Sequence, residues 1–450
     1  MDEETIVALA TPPGQAGIAV IRFSGSLSQD ILNRIIRPLP KKWQPRRCCH
    51  GFIQDGSRRL DECLAVFFPA PRSYSGEDMA EISLHSNLFI VEEALALACR
   101  HGARPALPGE FTYRAFRNGK LDLLQAEAVN DLIRANSRAG SLLEFDNLEG
   151  RLSQAVGAVR AALLQEAAEI ESAIEFAEDQ HLAVGNEGSA LDEAAAALDR
   201  ILAASRFSEV LAQGLKVVIA GRVNVGKSSL FNALLLQERS IVSALPGTTR
   251  DFIDETLRLD GFVFRVSDVA GIRPAAGDDI ENQGMQRSLD KIAGADAVLF
   301  MVDASQPLAE CDLEIARRLG AKKRMLLANK SDLSREDVIR SIREAFPEET
   351  VHLVSAKNGD NLEAVSAFLK GLLRDLPDAA GVVAVNLRQK GLLQELRDGI
   401  NRIRGLQTPA PGELVAEEIR QALRIIGELT GEIGADDILR GVFARFCIGK

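Results

Sequence analysis

Gly221-Arg222-Val223-Asn224-Val225-Gly226-Lys227-Ser228 stands between an aliphatic, strand-like run at residues 216–220 and a helical run at residues 229–236. Strand, glycine-bounded loop and helix, in that order, form the context in which this spacing holds phosphates. The glycines let backbone N–H groups wrap an anion, and the helix N-terminus adds its dipole. In such a loop Lys227 would reach the β- and γ-phosphates and the Ser228 hydroxyl would ligate Mg²⁺. Asn224, Val225, Gly226 and Ser229 complete the stretch expected to touch the nucleotide. The competing reading is a glycine-rich turn, and the strand–helix context disfavours it.

Four further motifs follow in order. Gly247-Thr248-Thr249-Arg250-Asp251 lies between the first and second strands, where a switch loop offers a threonine, here Thr249, to the metal and γ-phosphate, and the preceding Ser243, Ala244, Leu245 and Pro246 are expected beside the nucleotide. Asp268-Val269-Ala270-Gly271 ends the third strand, with Asp268 expected near Mg²⁺ and Gly271 near the γ-phosphate. Asn329-Lys330-Ser331-Asp332 ends the fifth. The Asp332 carboxylate can accept from guanine N1–H and N2–H₂, whereas adenine would leave it unpaired. Ser355-Ala356-Lys357 ends the sixth strand and would back the base. Each later motif is weak alone; their order and strand-end placement together imply binding of GTP and GDP. The position that carries a water-orienting glutamine in signalling GTPases is Ile272, which cannot align a water. Arg250 and Arg273 are candidate fingers, although surface ion pairs explain them equally well.

Working outward, residues 216–220, 262–268, 296–303, 324–329 and 352–355 alternate with helical stretches, the pattern of βα units on a largely parallel sheet. Asp260-Gly261 reads as a hairpin turn that adds one antiparallel edge strand at residues 255–259. Upstream, residues 121–204 are rich in Ala, Leu, Glu and Arg, with apolar residues recurring at three and four (Leu121, Leu124, Ala128, Leu132). A helix–helix turn is expected at residues 184–188, and helical texture returns at residues 388–405 and 412–429. Residues 4–120 mix short apolar runs (6–10, 17–23, 65–68, 81–85) with Pro and Gly turn signals, as an α+β domain does.

The expected fold is therefore α/β and α+β, multidomain. Residues 1–120 form an N-terminal α+β domain, 121–212 the first part of a helical domain, 213–376 an inserted Ras-like P-loop GTPase domain, and 377–450 the second helical part.

At 450 residues the chain exceeds one core. Lys and Arg number 53 against 64 Asp and Glu, so nucleic-acid contact would need a local basic face. One such segment, Arg34, Arg37, Lys41, Lys42, Arg46, Arg47, Arg58 and Arg59 with Trp43 inside it, is read as a solvated, mobile face in preference to an RNA contact. No apolar run is long enough to span a membrane, the start is acidic, and the six cysteines lack metal spacing. A cytoplasmic protein with free thiols is expected.

At this point a family resemblance becomes legible. Thr5-Ile-Val-Ala8, Ala10-Thr-Pro-Pro-Gly14, Ile21-Arg-Phe-Ser-Gly25, Tyr74-Ser-Gly-Glu-Asp78, the long block from Pro108 to Leu123, Gln125-Ala-Glu-Ala-Val129 and the terminal Phe446-Cys447-Ile448-Gly449-Lys450 are similar to the MnmE (TrmE) family of tRNA-modifying GTPases over essentially the whole length. The resemblance implies an N-terminal domain that dimerises and binds a reduced folate, 5-formyl- or methylene-tetrahydrofolate, through Arg22, Glu81, Lys120 and Lys450. It implies a potassium-activated GTPase domain in which Asn224, Ser243, Leu245 and Thr248 hold K⁺ and Glu281 positions the water. It implies tRNA as substrate, GTP-driven modification of the wobble uridine at C5, and a flavoprotein partner, MnmG. Cys447 is read as an accessible thiol near the folate site, with a nucleophile as the alternative.

Three departures from the family pattern stand out: Ser86-Asn87 in place of two glycines, Val269 in place of threonine, and an insertion with Pro274 in switch II. The rival function is a ribosome-assembly or signalling switch, which would commonly carry a basic domain after the GTPase domain; here an acidic helical tail follows instead.

Overall fold

The computed structural model describes residues 4–135, 137–175, 189–238, 254–259, 261–268, 290–374, 383–405, 412–433 and 436–450. These fall into two compact units, one of Met1–Ile133, Glu144–Arg200 and Leu387–Lys450, the other of Arg134–Leu143 and Ile201–Asn386.

The first unit begins with seven strands: β1 Thr5–Leu9, β2 Ala16–Ser24, β3 Ile36–Arg37, β4 Cys49–Asp55, β5 Arg58–Phe68, β6 Met79–Ser86 and β7 Ala103–Pro105. They form one sheet in the order β3-β4-β5-β6-β2-β1-β7. Every neighbour pair is antiparallel except β1 with β7. Alternation decides the faces. Ala19, Ile21 and Phe23 of β2, with Ala80, Ile82 and Leu84 of β6, turn to one side and join Ile31, Leu32, Val91, Ala94 and Leu97 in a single buried cluster. The latter five lie on the helices Ser28–Ile35 and Leu88–Arg100, which cover that face. Asn87 caps the second of these helices, its side-chain oxygen accepting from the N–H groups of Phe89 and Ile90. The Ser86 hydroxyl donates to the Gly14 carbonyl at 2.6 Å. The Ser86-Asn87 departure thus has a structural use.

Three of these strands, β3, β4 and β7, were not anticipated. Two are only two and three residues long, and β4 carries Gly51 and a terminal charge that dilute its alternation. The basic segment also differs from expectation. Trp43 is buried in the sheet's core, and its indole N–H donates to Asn33 Oδ1 at 2.7 Å, so it belongs to no exposed face. All eight cations around it are exposed.

The rest of this unit is helical. Helix Arg151–Glu175 buries Leu152, Val156, Val159, Leu163 and Ile170 at helical spacing. Helices Leu387–Gly405 and Gly412–Thr430 bury Leu393, Leu396, Ile400 and Ile403, and Ile419, Ile426 and Leu429, by the same rule. The expected turn at residues 184–188 lies outside the described residues.

The second unit is a six-stranded sheet built from β8 Leu215–Ala220, β9 Asp254–Leu259, β10 Phe262–Asp268, β11 Ala297–Asp303, β12 Arg324–Asn329 and β13 Val351–Val354. Its order is β13-β12-β11-β8-β10-β9, parallel throughout except for the β9–β10 hairpin. Every residue of β11 is buried, as a central strand with both faces covered requires. Two apolar clusters lie on its opposite faces, one holding Leu299 and Met301, the other Val298, Phe300 and Val302.

Candidate functional site

Residues 221–226 connect β8 to the helix Lys227–Glu238. The turn demands its residues. A Cβ on Gly226, at φ +99°, would stand 2.3 Å from the Asn329 amide nitrogen, and one on Gly221 would stand 2.5 Å from the Met301 carbonyl oxygen. Asn224 takes the left-handed region at φ +66°, a conformation that asparagine tolerates better than most residues. The Lys227 ammonium is buried and donates to the carbonyls of Gly221 at 3.1 Å and Arg222 at 3.2 Å, so it is held within the loop. Val225 is buried beneath the loop, while the side chains of Ser228 and Ser229 are exposed at the helix start.

Three strand ends meet this loop. Asn329, at the end of β12, donates from Nδ2 to the Val225 carbonyl at 2.6 Å and accepts at Oδ1 from the Ala356 N–H at 2.9 Å. One buried amide therefore joins the 221–226 loop to the Ser355-Ala356-Lys357 loop. Asp332 is exposed, and its Oδ1 accepts from the Ser355 hydroxyl at 2.8 Å, which aims the carboxylate. Lys330, also left-handed, reaches Asp303 at 2.6 Å. Burial pushes the Asp303 carboxyl up, but the Lys330 ammonium and the Ser305 hydroxyl and N–H outweigh it and hold the group below its ordinary value. Asp268 ends β10, paired in register with Ile219.

A second cluster forms in the first unit. The last residues, Phe446-Cys-Ile-Gly-Lys450, lie against the N-terminal sheet. Phe446 and Phe443 stack with ring centroids 5.3 Å apart, and Tyr113 meets Phe443 edge-on at 5.3 Å. The Gly109 N–H donates to the Cys447 carbonyl at 3.4 Å. Gly449 is left-handed, and a Cβ there would fall 2.2 Å from the Leu9 carbonyl oxygen. Arg22 donates to the Gly449 carbonyl at 3.3 Å and pairs with Glu81 at 2.8 Å, directly across β2 and β6. Burial, then the nearby Arg22 guanidinium, lowers the Lys450 ammonium below its usual value against the opposing pull of Cys447 and Glu81. Arg22, Glu81 and Lys450 thus share one site. Lys120 lies against the 71–76 loop, donating to the Pro71 carbonyl at 3.2 Å. Cys447 is exposed.

Two family models match the chain. One, described as GTP-binding protein TrmE N-terminus, covers residues 5–120; the other, described as MnmE helical domain, covers residues 123–447. The tRNA modification GTPase MnmE of Aquifex aeolicus is 39% identical over 99% of this chain and 100% of its own length. Its counterpart from Thermotoga maritima is 37% identical over the same shares. The chain belongs to the MnmE family of tRNA modification GTPases. Membership extends over the whole chain and makes it a GTP hydrolase. Among solved structures, an Aquifex aeolicus Era variant bound to GDP and AlF4 is 26% identical over 41% of this chain and 66% of that chain, at a TM-score of 0.30.

Ser243, Ala244, Leu245, Pro246, Gly247, Thr248, Thr249, Val269, Ala270, Gly271 and Glu281 lie outside the described residues. One residue outside the expected site set joins the nucleotide-site cluster. Asp303, the last residue of β11, is in register with Asn329, and that strand-end alignment was the available signal. Tyr74 and Phe111 lie under the Arg22 guanidinium, with ring centroids 5.8 and 5.9 Å away. Both lie in stretches that carry the family resemblance, but their meeting with Arg22 is set by β2, which brings that residue to them from far along the chain.

Proposed function

We propose that this chain hydrolyses GTP to drive an aminomethyl-type modification at C5 of the wobble uridine of certain tRNAs, using a reduced-folate one-carbon unit and a flavoprotein partner, MnmG. The observation that carries the reading is the second cluster. Arg22 and Lys450 bring two cations to one carboxylate, Glu81, beside an exposed thiol. That donor set suits the glutamyl carboxylates of a folate, with Glu81 for the N–H edge of its pterin. Such a site would be superfluous in a switch that only recruits partners.

In the GTPase domain Ser228 and Thr249 would hold Mg²⁺, and Asn224, Ser243, Leu245 and Thr248 would hold K⁺. Asn224 suits the cation because it is an exposed amide in the left-handed region, with a side-chain carbonyl of the kind that ligates a monovalent ion. Bound there, K⁺ supplies positive charge near the β- and γ-phosphates. Glu281 would orient the attacking water. The domain division stays at 1–120, 121–212, 213–376 and 377–450, with the N-terminal domain forming a homodimer in the cytoplasm.

Mass spectrometry of wobble uridines in tRNA from a deletion strain tests this reading. The modification should vanish, return with the wild-type chain, and fail to return with Arg22→Ala. Fully modified tRNA in the deletion strain would reject it.

A further inference from the structure

The basic segment at residues 34–59 is absorbed by neither site. It carries eight cations, Arg34, Arg37, Lys41, Lys42, Arg46, Arg47, Arg58 and Arg59, against one acid, Asp55, while the rest of the chain carries 45 Lys and Arg against 63 Asp and Glu. All eight cations are exposed. Among the described residues, none of them lies within ion-pair distance of a carboxylate, and the lone Asp55 is already held by Arg100 at 2.6 Å.

Topology brings Arg37, Arg46, Arg58 and Arg59 to one border of the sheet. β3 is the edge strand, and β4 is next to it. Arg58 pairs with Asp55 at the β4–β5 turn, Arg37 faces Phe52 at mid-strand, and Arg46 bonds by its N–H to the Phe67 carbonyl near the far end. The row therefore runs the length of seven-residue β4, about 20 Å at ~3.4 Å per residue. Arg59 lies over the Phe52 ring at 4.2 Å, so this border also offers an aromatic and a flat guanidinium. Inward burial of Trp43 anchors the loop that carries Lys41 to Arg47.

We infer that the β3–β4 edge is a docking surface for the phosphate backbone of the tRNA substrate. The inference rests on the tRNA-modifying reading above and names where the RNA would lie. A polyanion is the fitting partner for three reasons: among the described residues no carboxylate pairs with these cations, the segment carries eight of them to one acid while Glu62 and Asp61 alongside on β5 are engaged by His50 and His85, and six of the eight are arginines, whose planar forks match phosphate oxygens. An otherwise acidic protein needs a localised patch of this kind to hold RNA at all.

The test is fluorescence anisotropy of a labelled tRNA transcript titrated with the full chain at several potassium chloride concentrations. The variant neutralises Lys41, Lys42, Arg47 and Arg58 to Gln. A control neutralises Arg335, Arg340, Arg343 and Arg420, exposed cations elsewhere. The patch variant should bind at least tenfold more weakly at low salt and lower the slope of log affinity against log salt by about 3, at ~0.7–0.9 per phosphate contact. Its GTP turnover without tRNA and its melting temperature should match wild type, and the control should bind tRNA normally. Should the fourfold variant fold poorly, Arg58→Gln alone should lower the slope by about 1. Unchanged affinity and slope, an equal loss in the control, or a wild-type chain that shows no salt-dependent binding would each overturn the inference. So would normal tRNA binding with lost co-elution of the flavoprotein, which would make the edge a protein-docking face. The deletion-strain measurement tests the underlying reading separately and can fail on its own.

Discussion

The Asn329 side chain donates to the Val225 carbonyl at 2.6 Å, and through this bond the loop that would read the base is tied to the loop that would hold the phosphates. Its oxygen accepts from the Ala356 N–H, so one amide serves two loops. Asn329→Ala should leave a buried carbonyl and a buried N–H unpaired, at about 1–3 kcal/mol each, loosening both loops and weakening nucleotide binding by roughly tenfold or more. Titration with a fluorescent GDP analogue measures this. Gly226→Ala should be at least as damaging, because its Cβ would strike the same amide.

Base choice should follow Asp332. The Ser355 hydroxyl aims the carboxylate, and Asp332→Asn exchanges an acceptor for a donor while the Ser355 hydroxyl, which can donate or accept, keeps its bond. Binding should then shift from GTP toward xanthosine triphosphate. Competition between the two nucleotides reads the outcome, and an unaltered preference would remove Asp332 from base recognition.

Hydrolysis should depend on the monovalent cation. Ile272 occupies the glutamine position and no arginine is clearly placed as a finger, a group worth about 10³–10⁵ in rate. Turnover should be much faster in potassium chloride than in sodium chloride at equal ionic strength. Asn224→Ala should erase most of that difference, and Glu281→Ala should slow hydrolysis without preventing GTP binding. Equal rates in the two salts would eliminate the potassium mechanism.

The C-terminal tail should matter to modification and not to GTP turnover. Deleting Cys447–Lys450 removes Lys450 from Arg22 and Glu81 and frees the Gly109 N–H. Gly449→Ala is the milder version, since its Cβ meets the Leu9 carbonyl. Both should abolish wobble modification while leaving the GTPase rate nearly intact; a collapsed GTPase rate would show that the tail supports the other unit.

One half-buried acid should make the helical unit sensitive to pH. Burial, then the charges of Asp131 and Glu127, pushes Glu144 up to about 8, against a lowering hydrogen bond from Asn147. Between its ordinary carboxylate range and about 8 the folded chain binds more protons than the unfolded one, so stability falls as pH rises through that window. Glu144→Gln should therefore raise the melting temperature at pH 8.5, by about 2–4 °C for each kcal/mol regained, and change it little at pH 5. Scanning calorimetry at both values decides the matter, and a gain confined to acid pH would contradict it.

Much of the fold was legible because local pattern and global role agree. The 324–329 run is the observed β12, buried from Met325 to Asn329 as a strand covered on both faces is, and the 262–268 run is β10, where Val263, Phe264 and Val266 are buried while Arg265 is exposed. The 388–405 and 412–429 helices match to within a residue because their buried positions recur at three and four. β3 and β7 were illegible: two or three residues hold no period, and only pairing with Ile53 or Val7 makes them strands.

Chain order alone determined the nucleotide motifs, because phosphate and base recognition need particular residues at loop ends of successive strands, and that spacing is written along the sequence. Tertiary structure alone decided that Asn329 clasps Val225, that Trp43 turns inward while its eight cationic neighbours face water, and that the last residues return to Arg22 and Glu81. Those relationships join positions far apart in sequence through hydrogen bonds and buried area, neither of which leaves a periodic trace in the chain.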